Sequence, residues 1–515
     1  MAVSSWRSDG FGGLTPHQLE LLYEPIILEA ALQKAGSLPT YTQESQSSQG
    51  YKADMPDLKA FQFFVNKLAQ VCDNERGGDT ITALAVLQGS RGPHYVLGSN
   101  AKDARALETT KNFVKELLGL VGENPEDLKT TALGKRALWF ILSFNIARLR
   151  EYLQYLGMAV QECLESCRRK EEDEGRSHLK APAAKYLPAE PPEKCKFTLD
   201  TITSNAEKKS ISDCETLIKA IKSPGQIAID PLISQRAKDG EITRSEPWCK
   251  LRHFLGRWLS YRQAALGIVA VSERWPELFQ DFEITMLPSG SRLPNPILRS
   301  DLTSSIIVQH IIAEEKTQDL QLSQIADGLQ QLGVDDVIRQ FHNSRKFKPV
   351  LHAEPLVNKH LIETGQTSAE CYWNRWNYIG SSKPTCRLCH YYFESLQGEK
   401  PTVRPSHDNL YRNWRLPDFR DDEGLTQARD ELLMKIAQKM RTDVMEALRE
   451  KRIKSKARDS NTYSSVPEIL RINDTSTASE EDSGQESNAS TVPDDESMES
   501  LERSTSAVSL GDGDE

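Results

Sequence analysis

Two short motifs carry residue types that can do chemistry: the chain's single H-x-E, His352-Ala353-Glu354, and, 34 residues after the histidine, its single C-x-x-C, Cys386 to Cys389. One imidazole and two thiolates match what a catalytic zinc ion takes, three N/S ligands with a fourth position left for water. His352, Cys386 and Cys389 are therefore the expected Zn2+ ligands. If each motif opens a helix, the free N–H groups and partial positive charge there favour thiolate over thiol. Glu354 is not needed as a ligand. It is positioned to take a proton from the water and to return protons to a ring nitrogen and a leaving amine. The same residues also admit structural readings. His390 and His407 could close an inert four-ligand site with the two cysteines, and Glu354 could be an exposed first-turn carboxylate held by the helix dipole.

Together with the flanking Ser382-Lys383-Pro384-Thr385 and the stretch VRPSHDNLYRNWRLPD (Val403 to Asp418), these motifs resemble the zinc-dependent cytidine deaminase-like superfamily, with its H-x-E and P-C-x-x-C signature. More narrowly, they look like the divergent deaminase-like families of fungi and bacterial toxin systems. The resemblance runs from about Ser304 to Asp418. It implies a three-layer α/β domain with a mixed sheet, zinc at two helix starts, and hydrolytic removal of an amino group from a cytosine or adenine base, in nucleic acid or in a nucleotide. Pro384 departs from the family pattern, with Thr385 between it and the first cysteine. Asn343 is the candidate for the family's substrate-facing asparagine, and Ser382 and Lys383 are candidates for substrate contact. The aromatic and cationic stretch from Tyr391 to Arg415 has the composition of a single-strand binder, so Arg412 and Arg415 are expected to contact a strand. Core aromatics beside surface arginines are the plainer reading.

The elements that must position these residues follow from periodicity. Lys346 to Leu351 reads as a strand ending at His352, Trp376 to Gly380 as a second, and Thr402 to Arg404 as a third. Helices beginning near His352 and Cys386 separate them, which suggests βαβ units and a mostly parallel sheet. No two-strand hairpin is evident ahead of His352. Leu138, Leu142, Ile146, Leu149, Leu153, Leu156, Val160 and Leu164 predict one long amphipathic helix. Trp248, Leu251, Leu255, Trp258 and Leu259 line another, with Ser245 as its cap and Pro247 in its first turn. A charged helix from Leu425 to about Ile453 closes the folded region.

The division read along the chain is an N-terminal helix and polar segment (1–56), a helical domain (57–168), a charged and proline-rich linker (169–200), a helical region (201–300), the deaminase-like zinc domain (301–458) and an acidic Ser-rich tail (459–515). Leu287 to Pro296, with three prolines, reads as a second linker. The net charge of −10 is unevenly spread: the last 57 residues carry 15 acidic and 2 basic residues, leaving 59 and 62 in the other 458. Such a tail is expected to be disordered. The remainder is nearly neutral, so nucleic-acid binding would rest on local patches rather than on overall charge. No apolar run approaches the roughly 20 residues of a membrane span. The first residues lack a signal peptide's apolar core, and nine scattered cysteines fit a reducing compartment. An intracellular location, cytoplasm or nucleus, is expected, with the basic run from Arg449 to Arg458 a candidate nuclear address. The leading reading is a nucleobase deaminase. The rival is a catalytically silent zinc-bearing scaffold whose helical half recruits protein partners.

Overall fold

A computed structural model describes residues 13–36, 38, 40–41, 51–169, 212–218, 242–315, 325, 328–419 and 422–454. The linker 170–200 and the acidic tail therefore lie outside the described residues. The strands are β1 (Thr40–Tyr41), β2 (Thr82–Gln88), β3 (Pro93–Ser99), β4 (Glu283–Met286), β5 (Tyr378–Ser381), β6 (Thr402–Val403) and β7 (Ile453–Lys454). β1 pairs with β7, and the other five form one sheet in the order β4-β3-β2-β5-β6. Its outer pairs are parallel and its two inner pairs antiparallel, so the sheet is mixed rather than mostly parallel.

Strand alternation assigns each face of this sheet its own helical layer. Leu84, Val86, Tyr95 and Leu97 enter one core with α2 (Asp57–Cys72), α3 (Ala104–Glu123), α4 (Thr130–Phe144), α5 (Ile146–Arg169) and α6 (Ile242–Arg274). Ala83, Ala85, Leu87 and Val96 enter the other. There they meet α1 (Pro16–Ala35), α7 (Ser304–Glu314), α8 (Val334–His342), α9 (Ala353–Glu363), α10 (Arg387–Ser395) and α11 (Glu423–Glu450). The chain is thus helix-rich around one mixed α/β sheet. The central hairpin, β2 and β3, comes from the segment expected to be wholly helical. Buried on both faces, it reads as a continuous apolar run, which hides its period of two. Its turn runs from Gly89 to Gly92, where a Cβ on Gly89 would stand 2.5 Å from the Gly92 carbonyl oxygen.

Other expectations needed correction. Lys346 to Leu351 is not a strand: a turn ends at Lys346, the residues after it are irregular, and Val350 alone bridges to Trp414. The long helix expected through Leu138 and Leu164 breaks at Asn145, whose side chain donates to the carbonyls of Ile141 and Val71, 2.9 Å each. α6 begins at Ile242 and takes Pro247 inside, so Ser245 is not its cap. The segment 287–296 has no helix or strand, yet Leu287 and Leu293 are buried and donate their backbone N–H groups to Leu97 and Pro349. Strands close to those expected occur at β5 and β6, and the closing helix at α11. Among the described residues no helix is long and apolar enough to cross a membrane.

Candidate metal centre

Each motif does open a helix. His352 is the residue before α9, and Cys386 caps α10, its sulfur accepting from the backbone N–H of Cys389 at 3.5 Å. The two helix starts bring the expected ligands together: His352 Nδ1 lies 3.5 Å from Cys386 Sγ and 3.4 Å from Cys389 Sγ. Zinc bonds of about 2.3 Å to sulfur and about 2.0 Å to nitrogen, opened to a tetrahedral angle, place S and N about 3.5 Å apart. The donor set therefore fits zinc in both chemistry and spacing. Among the described residues this trio is the one metal-capable cluster, and neither His390 nor His407 joins it. His390 pairs with Glu394 at 3.1 Å, and His407 Nδ1 accepts the backbone N–H of Asn409 at 3.0 Å. The cysteines are buried while His352 is partly exposed.

The surroundings tune these groups. Burial opposes charge on Cys386, but a hydrogen bond from Cys389, the His352 charge and the helix N–H hold its thiol well below the usual range. Trp414, fully buried, donates its indole N–H to Cys389 Sγ at 3.3 Å. Such outer partners orient ligands and temper their charge. Glu354 is only 4% exposed. Burial, and then the negative charge of Cys386, push its carboxyl up to about 7, against a hydrogen bond with Ser381. It is not the exposed first-turn carboxylate of the structural reading. A carboxyl titrating near neutrality can both accept and return a proton.

The candidate substrate contacts divide. Lys383 is near enough for its charge to act on both His352 and Asp73. Ser382 is buried and continues the β2–β5 pairing, its N–H donating to the Thr82 carbonyl at 2.9 Å. Asn343 is exposed at the end of α8, with its backbone N–H on the Arg339 carbonyl. Arg415 is 3% exposed and engages Asp418 and the carbonyls of Ser291 and Leu416. Arg412 lies over the rings of Phe341 and Phe347. Arg415 is thus occupied by protein groups, while Arg412 is half-buried against the two rings with no hydrogen bond to its Nε.

Sequence reasoning missed Asn100. It follows β3, is 4% exposed, and its Oδ1 accepts the N–H of Ala353 at 2.8 Å while its Nδ2 donates to the Gly78 carbonyl at 2.9 Å. It therefore caps the very turn that presents His352. Its only sequence signal is a polar residue closing an apolar run, and it precedes His352 by 252 positions. No curated protein and no solved structure matches the chain. Residues 351–418, which hold His352, Glu354, Cys386 and Cys389, match the family model described as OTT_1508_deam-like deaminase, and over that segment the chain is deaminase-like.

Proposed function

We propose that the protein is a zinc-dependent hydrolytic deaminase acting on a cytosine or adenine base. The observation that carries this reading is Glu354, buried and lifted to about 7 beside a three-donor set that leaves a tetrahedral ion one position short. A purely structural site has no use for such a carboxyl. Zinc held by His352, Cys386 and Cys389 would supply Lewis-acid activation of a water molecule. Glu354 takes the proton of that water and delivers protons to the ring nitrogen and the departing amine. The water oxygen ends on the ring carbon and the amine leaves as ammonia. Lys383, beside His352, and Asn100, which fixes the turn before α9, orient the approach. The matched deaminase segment supports a nucleotide or nucleic acid as the substrate class. A polymer would have to present its base single-stranded or flipped out, because the target atom cannot be reached inside a duplex.

The test uses the full chain with bound metal counted by mass spectrometry, and ammonia release measured from cytidine, adenosine, their monophosphates, and single-stranded RNA and DNA. One zinc per chain and release from at least one substrate are expected. Glu354→Ala should keep the zinc and lose about 100-fold to 10,000-fold in rate. Stoichiometric zinc with no release from any of these substrates would instead favour the silent scaffold, and absence of zinc would sink the site.

A further inference from the structure

Four segments meet behind Ser381: α2, α6, the end of β5 and the chain just after β6. Asn66 Oδ1 of α2 accepts the Ser381 N–H at 3.1 Å, and Arg404 donates to the Ser381 carbonyl at 2.9 Å. Gln70 donates to Ser260 of α6 at 2.7 Å, and Lys67 donates to Gln70 and Gln263 at 3.0 and 3.3 Å. This junction gathers three cations, Lys67, Arg257 and Arg404. None has a carboxylate within salt-bridge distance among the described residues: Lys67 meets two amide oxygens and the Phe63 ring, Arg257 the Tyr152 ring, and Arg404 a carbonyl. Arg257, 9% exposed, has a buried Nε without a hydrogen bond, as has the nearby Gln263 Nε2.

Buried charges in folded proteins are as a rule paired, since desolvating an unpaired one is costly. Here the cost is compounded. Burial, and then the charges of Arg404 and Arg257, push the Lys67 ammonium down to about 7. Arg404 is likewise lowered, first by burial and then by Arg257, while Tyr378 and Glu354 oppose this. Three other buried cations are each paired with a carboxylate, Arg148 with Asp73, Arg387 with Glu29 and Arg415 with Asp418, whereas the lone buried Lys102 is held by the Cys72 carbonyl and the Thr110 hydroxyl. This cluster of three cations adjoins Glu354 through Ser381, and Lys67 and Arg404 are partly open to solvent.

From this we infer that Lys67, Arg257 and Arg404 form a binding site for a phosphoryl group. Three cations and an unused amide donor suit a dianionic tetrahedral group with several outer oxygens, whereas a carboxylate would be satisfied by one guanidinium. Such a ligand removes the mutual repulsion and satisfies the idle donors at once. The phosphoryl group belongs either to the substrate whose base meets Glu354 or to a separate phosphorylated ligand. The site itself does not depend on the deaminase reading; only its assignment to the substrate does.

The full chain is titrated with inorganic phosphate by calorimetry, against chloride at equal ionic strength, and its melting temperature is followed over the same range. Phosphate should bind and raise the melting temperature as its concentration rises. Arg257→Gln and Lys67→Met should each weaken binding by about tenfold or more. Without phosphate these variants should melt at or above the parent temperature, because removing one of three like charges relieves repulsion. Phosphate that does not bind, or binds equally to both variants, overturns the site, as does a large drop in the variants' melting temperature without phosphate. Glu354→Gln should bind phosphate as the parent does, so loss of deamination and loss of the anion site are separable. Competition between phosphate and a nucleoside monophosphate would assign the group to the substrate. Simultaneous binding of both would assign it to a second ligand.

Discussion

Arg387, between the two cysteines and 1% exposed, reaches away from the metal site to Glu29 of α1 at 2.6 Å and to Asp443 of α11 at 3.4 Å. It also donates twice to the Asp408 carbonyl, at 3.0 and 2.9 Å. The residue that follows Cys386 thus fastens the C-x-x-C turn to two helices. Arg387→Met should cost about 3–5 kcal/mol in urea unfolding by taking the guanidinium from the buried Glu29, and should lower zinc retention. Glu29→Leu combined with Arg387→Leu should cost less than either change alone; equal or greater loss would mean that the pair itself stabilises the fold. A second buried pair predicts a pH dependence. Burial alone would raise the Asp73 carboxyl, but the charges of Arg148 and Lys383 and hydrogen bonds from Thr80 and Arg148 hold it below its ordinary value. Its contribution is therefore complete above an unfolded-chain pKa of about 4 and is lost as pH falls through the lower folded value. Asp73→Asn should be less stable at neutral pH and show a flatter decline below pH about 4 in melting temperature. The cluster of His352, Cys386 and Cys389 and its neighbour Glu354 were legible because their spacing is local. Asn100 and Glu29 were not, since only the folded backbone brings them to the motifs.

The strand that leads to the Cys386 motif packs closely against α2. At Gly380 in β5, an added Cβ would stand 2.5 Å from Val65 Cγ1 and 2.9 Å from Asn66 Oδ1, so α2 lies nearly on the strand. Gly380→Ala should destabilise the protein by about 1–3 kcal/mol, more than the roughly 0.4–1 kcal/mol regained from a less flexible unfolded chain. By displacing Asn66 from the Ser381 N–H it should also slow any turnover; a variant as stable and active as the parent would show that α2 can retreat freely. At this scale the sequence was read unevenly. Helices with one apolar stripe, such as α11, could be recognised, and so could the helix starts at His352 and Cys386. The hairpin could not, because neither face of β2 meets water and its small alanines blunt any contrast. The break at Asn145 was invisible for another reason: the apolar spacing continues across it, and a side chain bonded to Val71, in a different helix, makes the interruption.

Taken whole, the described residues belong to one contact unit, in which the segment with the candidate metal centre supplies only the β5 and β6 side of the sheet. A fragment of residues 301–458 lacks β2, β3, β4, Asn100 and Glu29, and is expected to be insoluble and free of stoichiometric zinc. Residues 1–458 should fold and hold it, with a melting temperature within a few degrees of the full chain, since an acidic Ser-rich tail has no apolar pattern to dock. A soluble, zinc-loaded 301–458 fragment would refute the first expectation, and a large drop on tail removal the second. The division into successive domains was a reading of linkers, and linkers do not reveal which distant strands pair. The hairpin's position also sets a schedule for making the protein. β2 needs β5 as its neighbour, yet 279 positions separate Ser99 from Tyr378. At about 5–20 residues per second, a ribosome delivers that partner roughly 15–60 s after the hairpin emerges. Throughout that interval an apolar strand edge stands open to any other nascent chain. The gap that separates the halves of the sheet is therefore also a period of exposure, and production of the protein should depend on holdase chaperones more than its final packing would suggest.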